Sequence, residues 1–74
     1  MSNCKFAAGM ALRAVVPFMQ PQPAKVYIDH VLPSVYEGEF LIVYRVFGKH
    51  KRRWHEFLCT EMDMQFYKEK ANTK

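Results

Sequence analysis

The chain has few cysteines and few glycines, and each scarcity excludes a class of protein. Its two cysteines, Cys4 and Cys59, allow one bridge at most, whereas small secreted domains that depend on disulfides usually carry more. We therefore expect two reduced thiols and a cytoplasmic location. The three glycines, at positions 9, 38 and 48, are isolated. They cannot form the glycine-rich loop that cradles phosphate groups in nucleotide-binding enzymes.

Long uncharged apolar runs are also missing. No stretch approaches the ~20 apolar residues of a membrane-spanning helix, and Arg13 interrupts the apolar stretch near the start. No convincing signal-peptide cleavage site follows. We expect no membrane partner and take residues 1–74 as the mature chain and a single domain. Residues 1–3 and 72–74 should fray, and the proline-containing residues 19–24 should form a connector.

Recognisable catalytic and metal-binding patterns are absent as well. The seven carboxylates form no recognisable acid/base pair. His50, His55 and Cys59 could be metal ligands, but structural zinc takes four ligands in closely spaced pairs, and only Cys4 or His30, from distant segments, could complete the set. On a strand, His55 and Cys59 would be about 13 Å apart, too far for a nucleophile and its base. We therefore expect no enzymatic activity, no cofactor and no metal.

Hydrophobic and aromatic residues, together with positive charge, are plentiful. Half of the residues are hydrophobic, 15% are aromatic, and the net charge is +4. Large rings stabilise a core that a short chain can otherwise barely build. The charge indicates an anionic partner, although it could equally serve only to keep an apolar domain in solution.

Residues 1–18 admit two interpretations. Helical spacing connects Phe6 with Met10 and Leu12 with Val15, and Pro17 would end such a helix. The alternative is a strand at a sheet edge, because apolar residues also alternate from position 10 to position 18. We favour the helix.

Two strands follow. Lys25 to Leu32 alternates, with His30 in line with Val26 and Ile28, which predicts that this histidine is a core residue. The stretch Glu39–Phe47 is apolar on both faces apart from Arg45, which is typical of a central strand covered on both sides. A helix from each end of the chain would supply the cover.

The next connection predicts a β-hairpin with two possible registers. A two-residue turn at positions 48–49 would place Arg45 opposite Arg52, which is unfavourable for like charges. A four-residue loop over positions 48–51 pairs Ile42 with Phe57 and places Arg45 opposite Trp54, where a cation–π contact can form. We prefer this second register because it matches apolar side chains with each other.

The C-terminal residues 60–71 favour a helix. Thr60 and Asp63 have the spacing of a capping pair, and Lys68 and Lys70 suit a helix C-terminus. The stretch also alternates as a strand would, and one long helix over residues 51–71 is a further alternative. We therefore predict an α+β fold, in which an antiparallel three-stranded β-meander is flanked by an N-terminal and a C-terminal helix.

The basic hairpin tip is the candidate functional surface. Lysine and arginine neutralise phosphates, and exposed rings stack on bases, so the favoured partner is an anionic macromolecule, most of all nucleic acid rather than an acidic protein surface. The candidate binding residues are Arg45, Lys49, His50, Lys51, Arg52, Arg53, Trp54 and His55.

A protein–protein module is the alternative function. Arginine, tryptophan, tyrosine and methionine are favoured at interfaces, and the chain has four tyrosines and five methionines. A small accessory or inhibitor protein, of viral or phage type for instance, could act by covering a surface of a larger protein. An open sheet edge or an apolar face could also form a homo-oligomer.

Overall fold

A computed structural model describes residues 4–17, 22–48 and 51–72. They form a four-stranded antiparallel sheet in the order β1-β2-β3-β4, followed by one helix that packs against it. The predicted α+β class is confirmed, whereas the expectation of three strands and two helices is wrong in detail. The elements are β1 (Ala11–Ala14), β2 (Ala24–Pro33), β3 (Phe40–Gly48), β4 (Arg53–Thr60) and α1 (Glu61–Ala71).

Strand β1 replaces the predicted N-terminal helix. Gly9 has a φ of 89°, which interrupts a right-handed helix, and the β-branched Val15 and Val16 favour extended backbone. Ala14 is fully buried, and the Val15 N–H donates to the Tyr67 carbonyl of α1 over 3.0 Å. The alternation that indicated a strand is therefore correct, and this segment forms an edge of the sheet instead of covering it.

A β-bulge in β2 changes which residues face the core. Ile28 pairs with Tyr44 but His30 pairs with Val43, so Asp29 is the extra residue. Beyond the bulge Val31 packs against the core, while His30 is exposed on the other face. The prediction that His30 is a core residue is wrong, because simple alternation across the strand does not anticipate the extra residue.

Strand β3 is central, as predicted, and its buried side chains organise the core. Ile42, Tyr44 and Val46 are buried beneath α1, which contributes the fully buried Met64. The expectation that both faces of β3 are covered is wrong in the described part of the chain. Helix α1 packs on one face, and the segment expected to cover the other is β1.

The β3–β4 register differs from both predicted alternatives. Ile42 pairs with Cys59 rather than Phe57, and the last pair of the ladder is Gly48 with Arg53. This register places Arg45 opposite Glu56 and Phe47 opposite Trp54. Cross-strand pairs of opposite charge and of two aromatic rings both stabilise a sheet. The shift from our preferred register is two residues, so every side chain keeps its predicted face.

Helix α1 confirms the C-terminal prediction and excludes both alternatives for that stretch. The Thr60 hydroxyl accepts a hydrogen bond from the Asp63 N–H at 3.1 Å, as a helix N-cap does. The Lys5 N–H donates to the Glu61 carboxylate at 2.7 Å, which ties the N-terminal segment to the start of the helix. Asn72, in the stretch predicted to fray, is the C-cap of α1. Among the described residues, no helix has the length and apolar character needed to cross a bilayer.

Candidate functional site

The face of the sheet opposite α1, called here the open face, carries a mixed set of apolar and charged side chains. None of the described elements packs over it. Strand alternation, the bulge and the pairing register together assign its residues. Its charged, aromatic and larger aliphatic residues, together with one histidine, are Arg13, Lys25, Tyr27, Asp29, His30, Leu32, Leu41, Val43, Arg45, Phe47, Trp54, Glu56 and Leu58.

Three rings from neighbouring strands meet at one end of the open face. The Trp54 centroid lies 5.4 Å from that of Tyr27 and 5.3 Å from that of Phe47, both at interplanar angles of 72°. The guanidinium carbon of Arg45 lies 4.9 Å from the Trp54 centroid and 5.5 Å from that of Tyr27. These four side chains, called here the aromatic platform, combine edge-to-face and cation–π contacts.

Asp29, the bulge residue, holds Arg45 in place. The Arg45 Nε lies 3.2 Å from the Asp29 Oδ1, and Glu56 lies opposite Arg45 on β4. Because both partners of the ion pair are partly exposed, it contributes at most about 1 kcal/mol to stability. Its main consequence is geometric, since it orients the guanidinium over the rings.

Further cations surround the aromatic platform. The Lys25 Nζ lies 5.6 Å from the Tyr27 centroid, and Lys25 pairs with Arg13 across β1 and β2. Lys51 and Arg52 are exposed in the connection that precedes Trp54. This end of the open face therefore presents rings and positive charge together.

The other end of the open face is aliphatic. Leu32 pairs with Leu41, and Val43 pairs with Leu58. These four residues form what we call the aliphatic patch, in which Leu58 is 60% exposed and Leu32 45% exposed. Contiguous exposed apolar side chains of this kind commonly mark interaction surfaces.

The structure separates the residues predicted to bind an anionic partner. Arg45 and Trp54 lie together in the aromatic platform, and the predicted cation–π contact between them forms. The two residues are not directly opposite each other, because Arg45 pairs with Glu56, so the contact is a diagonal one across β3 and β4. Lys51 and Arg52 are exposed beside them. Arg53 alternates with Trp54 and so points to the opposite face. Lys49 and His50 lie outside the described residues.

His55 also lies on the face that carries α1. Its imidazole occupies the space above Gly48, where an added Cβ would come within 2.7 Å of the His55 Nε2. The ring stacks near Phe57, with centroids 6.3 Å apart. Gly48 therefore provides room for His55, which takes no part in the aromatic platform.

Sequence reasoning missed half of the aromatic platform. The apolar run of Glu39–Phe47 predicts that Phe47 is covered, whereas it is exposed, and the sequence pattern assigns no functional role to Tyr27, Lys25 or Arg13. One signal was present, because Lys25, Tyr27 and Asp29 alternate with the core residues of β2 and so had to share the opposite face. The pattern could not indicate that this face is left uncovered by every element of the described part of the chain.

The reactive side chains in the core are held in their unreactive forms. Burial, with a contribution from Asp63, raises the pKa of the Cys59 thiol to about 12. Burial likewise raises the pKa of Tyr44. A thiol with such a pKa stays protonated near neutral pH and is a poor nucleophile. Among the described residues, no group of three or more histidine, cysteine or carboxylate side chains could hold a metal ion.

Comparison with known proteins gives no relative from which a role could be transferred. No protein-family model, no curated protein and no solved structure matches this chain. Function therefore has to be inferred from the side chains of the open face.

Proposed function

We propose that this chain is a non-enzymatic binding protein that holds nucleic acid on the aromatic platform and the cations around it. One observation carries the proposal. Three rings, Arg45 and the exposed cations Arg13 and Lys25 share one end of a sheet face that no described element covers.

The two kinds of side chain match the two parts of a nucleic acid. Lysine and arginine neutralise phosphates and release the counterions that surround them. Aromatic rings and guanidinium planes stack on bases of any sequence. An acidic protein surface would satisfy the cations but would make no use of the rings as stacking surfaces, so nucleic acid explains more of this surface.

Relative to the surface predicted from sequence, the proposed site moves from the hairpin tip onto the sheet. Arg45, Lys51, Arg52 and Trp54 remain in it, whereas Arg53 and His55 leave it. Both cysteines are free thiols, in keeping with the cytoplasmic location that we propose.

Salt dependence tests the proposal. Four phosphate contacts, from Arg13, Lys25, Lys51 and Arg52, give a slope of about −3 to −4 for log affinity against log salt concentration. Fluorescence anisotropy of a labelled oligonucleotide between about 50 and 200 mM salt measures this slope. Loss of one contact in Lys25→Gln should reduce its magnitude by about 0.7 to 0.9.

Lys68→Gln is the matched control. Lys68 is an exposed lysine of α1, on the opposite side of the sheet from the proposed site. The same charge is lost, yet the slope should stay at its original value. The absence of oligonucleotide binding at low salt, or equal effects of the two variants, would contradict the proposal.

The aliphatic patch supports a second candidate function, the covering of a surface on a larger protein or on a second copy of this chain. The specific observation is the exposure of Leu58 and Leu32 beside Val43 and Leu41. Leu58→Lys should abolish association, whether measured by light scattering or by pull-down with an identified partner. Val35→Lys, in the connection between β2 and β3, is the control because Val35 is 94% exposed outside the patch.

A further inference from the structure

We propose that the nucleic acid bound here is single-stranded, with unpaired bases stacked on the aromatic platform. This inference rests on the proposed function and specifies its ligand. It follows from three properties of the surface, namely the exposure of the rings, their mutual orientation and the position of Arg45.

The exposed rings are useful only to bases whose flat faces are accessible. Trp54 is 47% exposed and lies on β4, at the edge of the sheet, and Phe47 is 43% exposed beside it. In a duplex, the faces of the bases are buried in the stack, and a protein reaches only the base edges and the phosphates. A single strand can turn its bases onto the rings.

The mutual orientation of the rings determines how a base can bind. A base inserted between two parallel rings needs about twice the 3.4 Å spacing of stacked bases. The Tyr27–Trp54 and Phe47–Trp54 centroids are only 5.4 and 5.3 Å apart, at 72°. Bases must therefore stack on the solvent-facing side of the cluster rather than between its rings.

Arg45 provides a stacking surface as well as a charge. Its guanidinium lies over both Trp54 and Tyr27, its side chain is 45% exposed, and Asp29 fixes its orientation. A guanidinium plane accepts a base in the way that a ring does, whereas a lysine ammonium does not. The two contributions of Arg45 can therefore be separated by Arg45→Lys, which keeps the charge and removes the plane.

Three probes with the same number of phosphates test the inference. They are an oligothymidylate of about sixteen nucleotides, an abasic oligomer of the same length, and a GC-rich duplex of about eight base pairs, which has the same total number of phosphates. Trp54 is the single tryptophan of the chain, so its fluorescence reports on the aromatic platform alone. We expect the oligothymidylate to quench it and to bind at least fivefold more tightly than either other probe.

Arg45→Lys should weaken oligothymidylate binding at least fivefold and leave binding of the abasic oligomer unchanged. Arg53→Lys is the control, because Arg53 is exposed and alternates with Trp54, so that it points to the opposite face of the sheet. This variant should alter the binding of neither oligomer. Circular dichroism establishes that both variants are folded. If Arg45→Lys weakens binding of both oligomers equally, the guanidinium plane has no stacking role.

The outcomes distinguish this inference from the proposed function. Equal binding of all three probes with unchanged fluorescence would leave nucleic-acid binding intact and overturn the single-stranded, stacked mode. Binding of none of them would overturn the proposed function itself. Preference for the duplex would also overturn the inference.

Discussion

Strand β3 carries apolar side chains on both faces of the sheet, but only one of the two sets is buried. On β3 the residues of one face, Ile42, Tyr44 and Val46, are buried beneath α1, whereas Leu41 and Val43 from the other face remain partly exposed. Hydrophobicity is therefore not what distinguishes core from surface here. The difference lies in which face receives the helix, and it marks the open face as the region that a partner can use.

Specific contacts hold α1 on its face. The helix begins directly after β4, with Thr60 as its cap, and buries Met64. The helix also contacts β1, where Ala14 is small and fully buried. The Val15 N–H, just after β1, donates a hydrogen bond to the Tyr67 carbonyl of α1 over 3.0 Å. These contacts stabilise the covered face, whereas the rings of the open face depend mainly on one another.

The largest expected contrast is between two methionines of α1. Met64→Ala should lower the free energy of unfolding by about 2 to 5 kcal/mol, because it opens a cavity in the core. Met62→Ala removes the same atoms from a side chain that is 78% exposed, and should change stability by less than about 0.5 kcal/mol. Urea unfolding measures both. Similar losses would mean that α1 does not cover the sheet through Met64.

A second contrast compares the two faces on a single strand. Val46→Ala, on the covered face, should cost about 2 kcal/mol of unfolding free energy, from the lost burial and the remaining cavity. Val43→Ala, on the open face, should cost less than about 1 kcal/mol, because Val43 is only partly buried. Equal costs in urea unfolding would indicate that the open face is covered after all.

Alkaline pH should distinguish the buried thiol from the less buried one. The folded state raises the pKa of Cys59 from 9.0 to about 12, so above pH 9 the unfolded state loses a proton that the folded state keeps. Stability is therefore retained below pH 9 and should fall as pH rises towards 12, by up to about 1.4 kcal/mol per pH unit.

The measurement is urea unfolding between about pH 8 and 9.5, where unfolded tyrosines, with a pKa of about 10, are still mostly protonated. Cys59→Ala should flatten the decline. Cys4→Ala should flatten it less, because Cys4 is less buried, although burial raises its pKa in the same direction. An unchanged slope in Cys59→Ala would show that Cys59 titrates normally in the folded protein.

The smallest expected effect on stability concerns the ion pair of the open face. Asp29→Asn should cost less than about 1 kcal/mol, because the pair is partly exposed. It should also strengthen oligonucleotide binding about two- to fivefold by removing a negative charge next to Arg45. Glu37→Gln removes the same charge from the exposed β2–β3 connection and should leave affinity unchanged. Weaker binding by Asp29→Asn would mean that orienting Arg45 outweighs the charge.

Much of the fold could be predicted from the sequence where a signal is local. Thr60 and Asp63 marked the start of α1, and the apolar run of β3 indicated a central strand. Non-local features were not predictable in this way. The bulge at Asp29 reverses the alternation of β2, and the β3–β4 register depends on pairing Arg45 with Glu56 as well as on apolar matching.

The sequence by itself determined the two-faced pattern of β3, the cap and extent of α1, and the concentration of positive charge before Trp54. Tertiary structure alone decided which apolar face is core. Strand alternation assigns side chains to two sets, but it says nothing about which set a helix will cover. The N-terminal segment pairs with β2 as an edge strand, so that among the described residues α1 alone is available to cover the sheet, and it covers one face. Arg45, Tyr27 and Trp54 consequently form a surface.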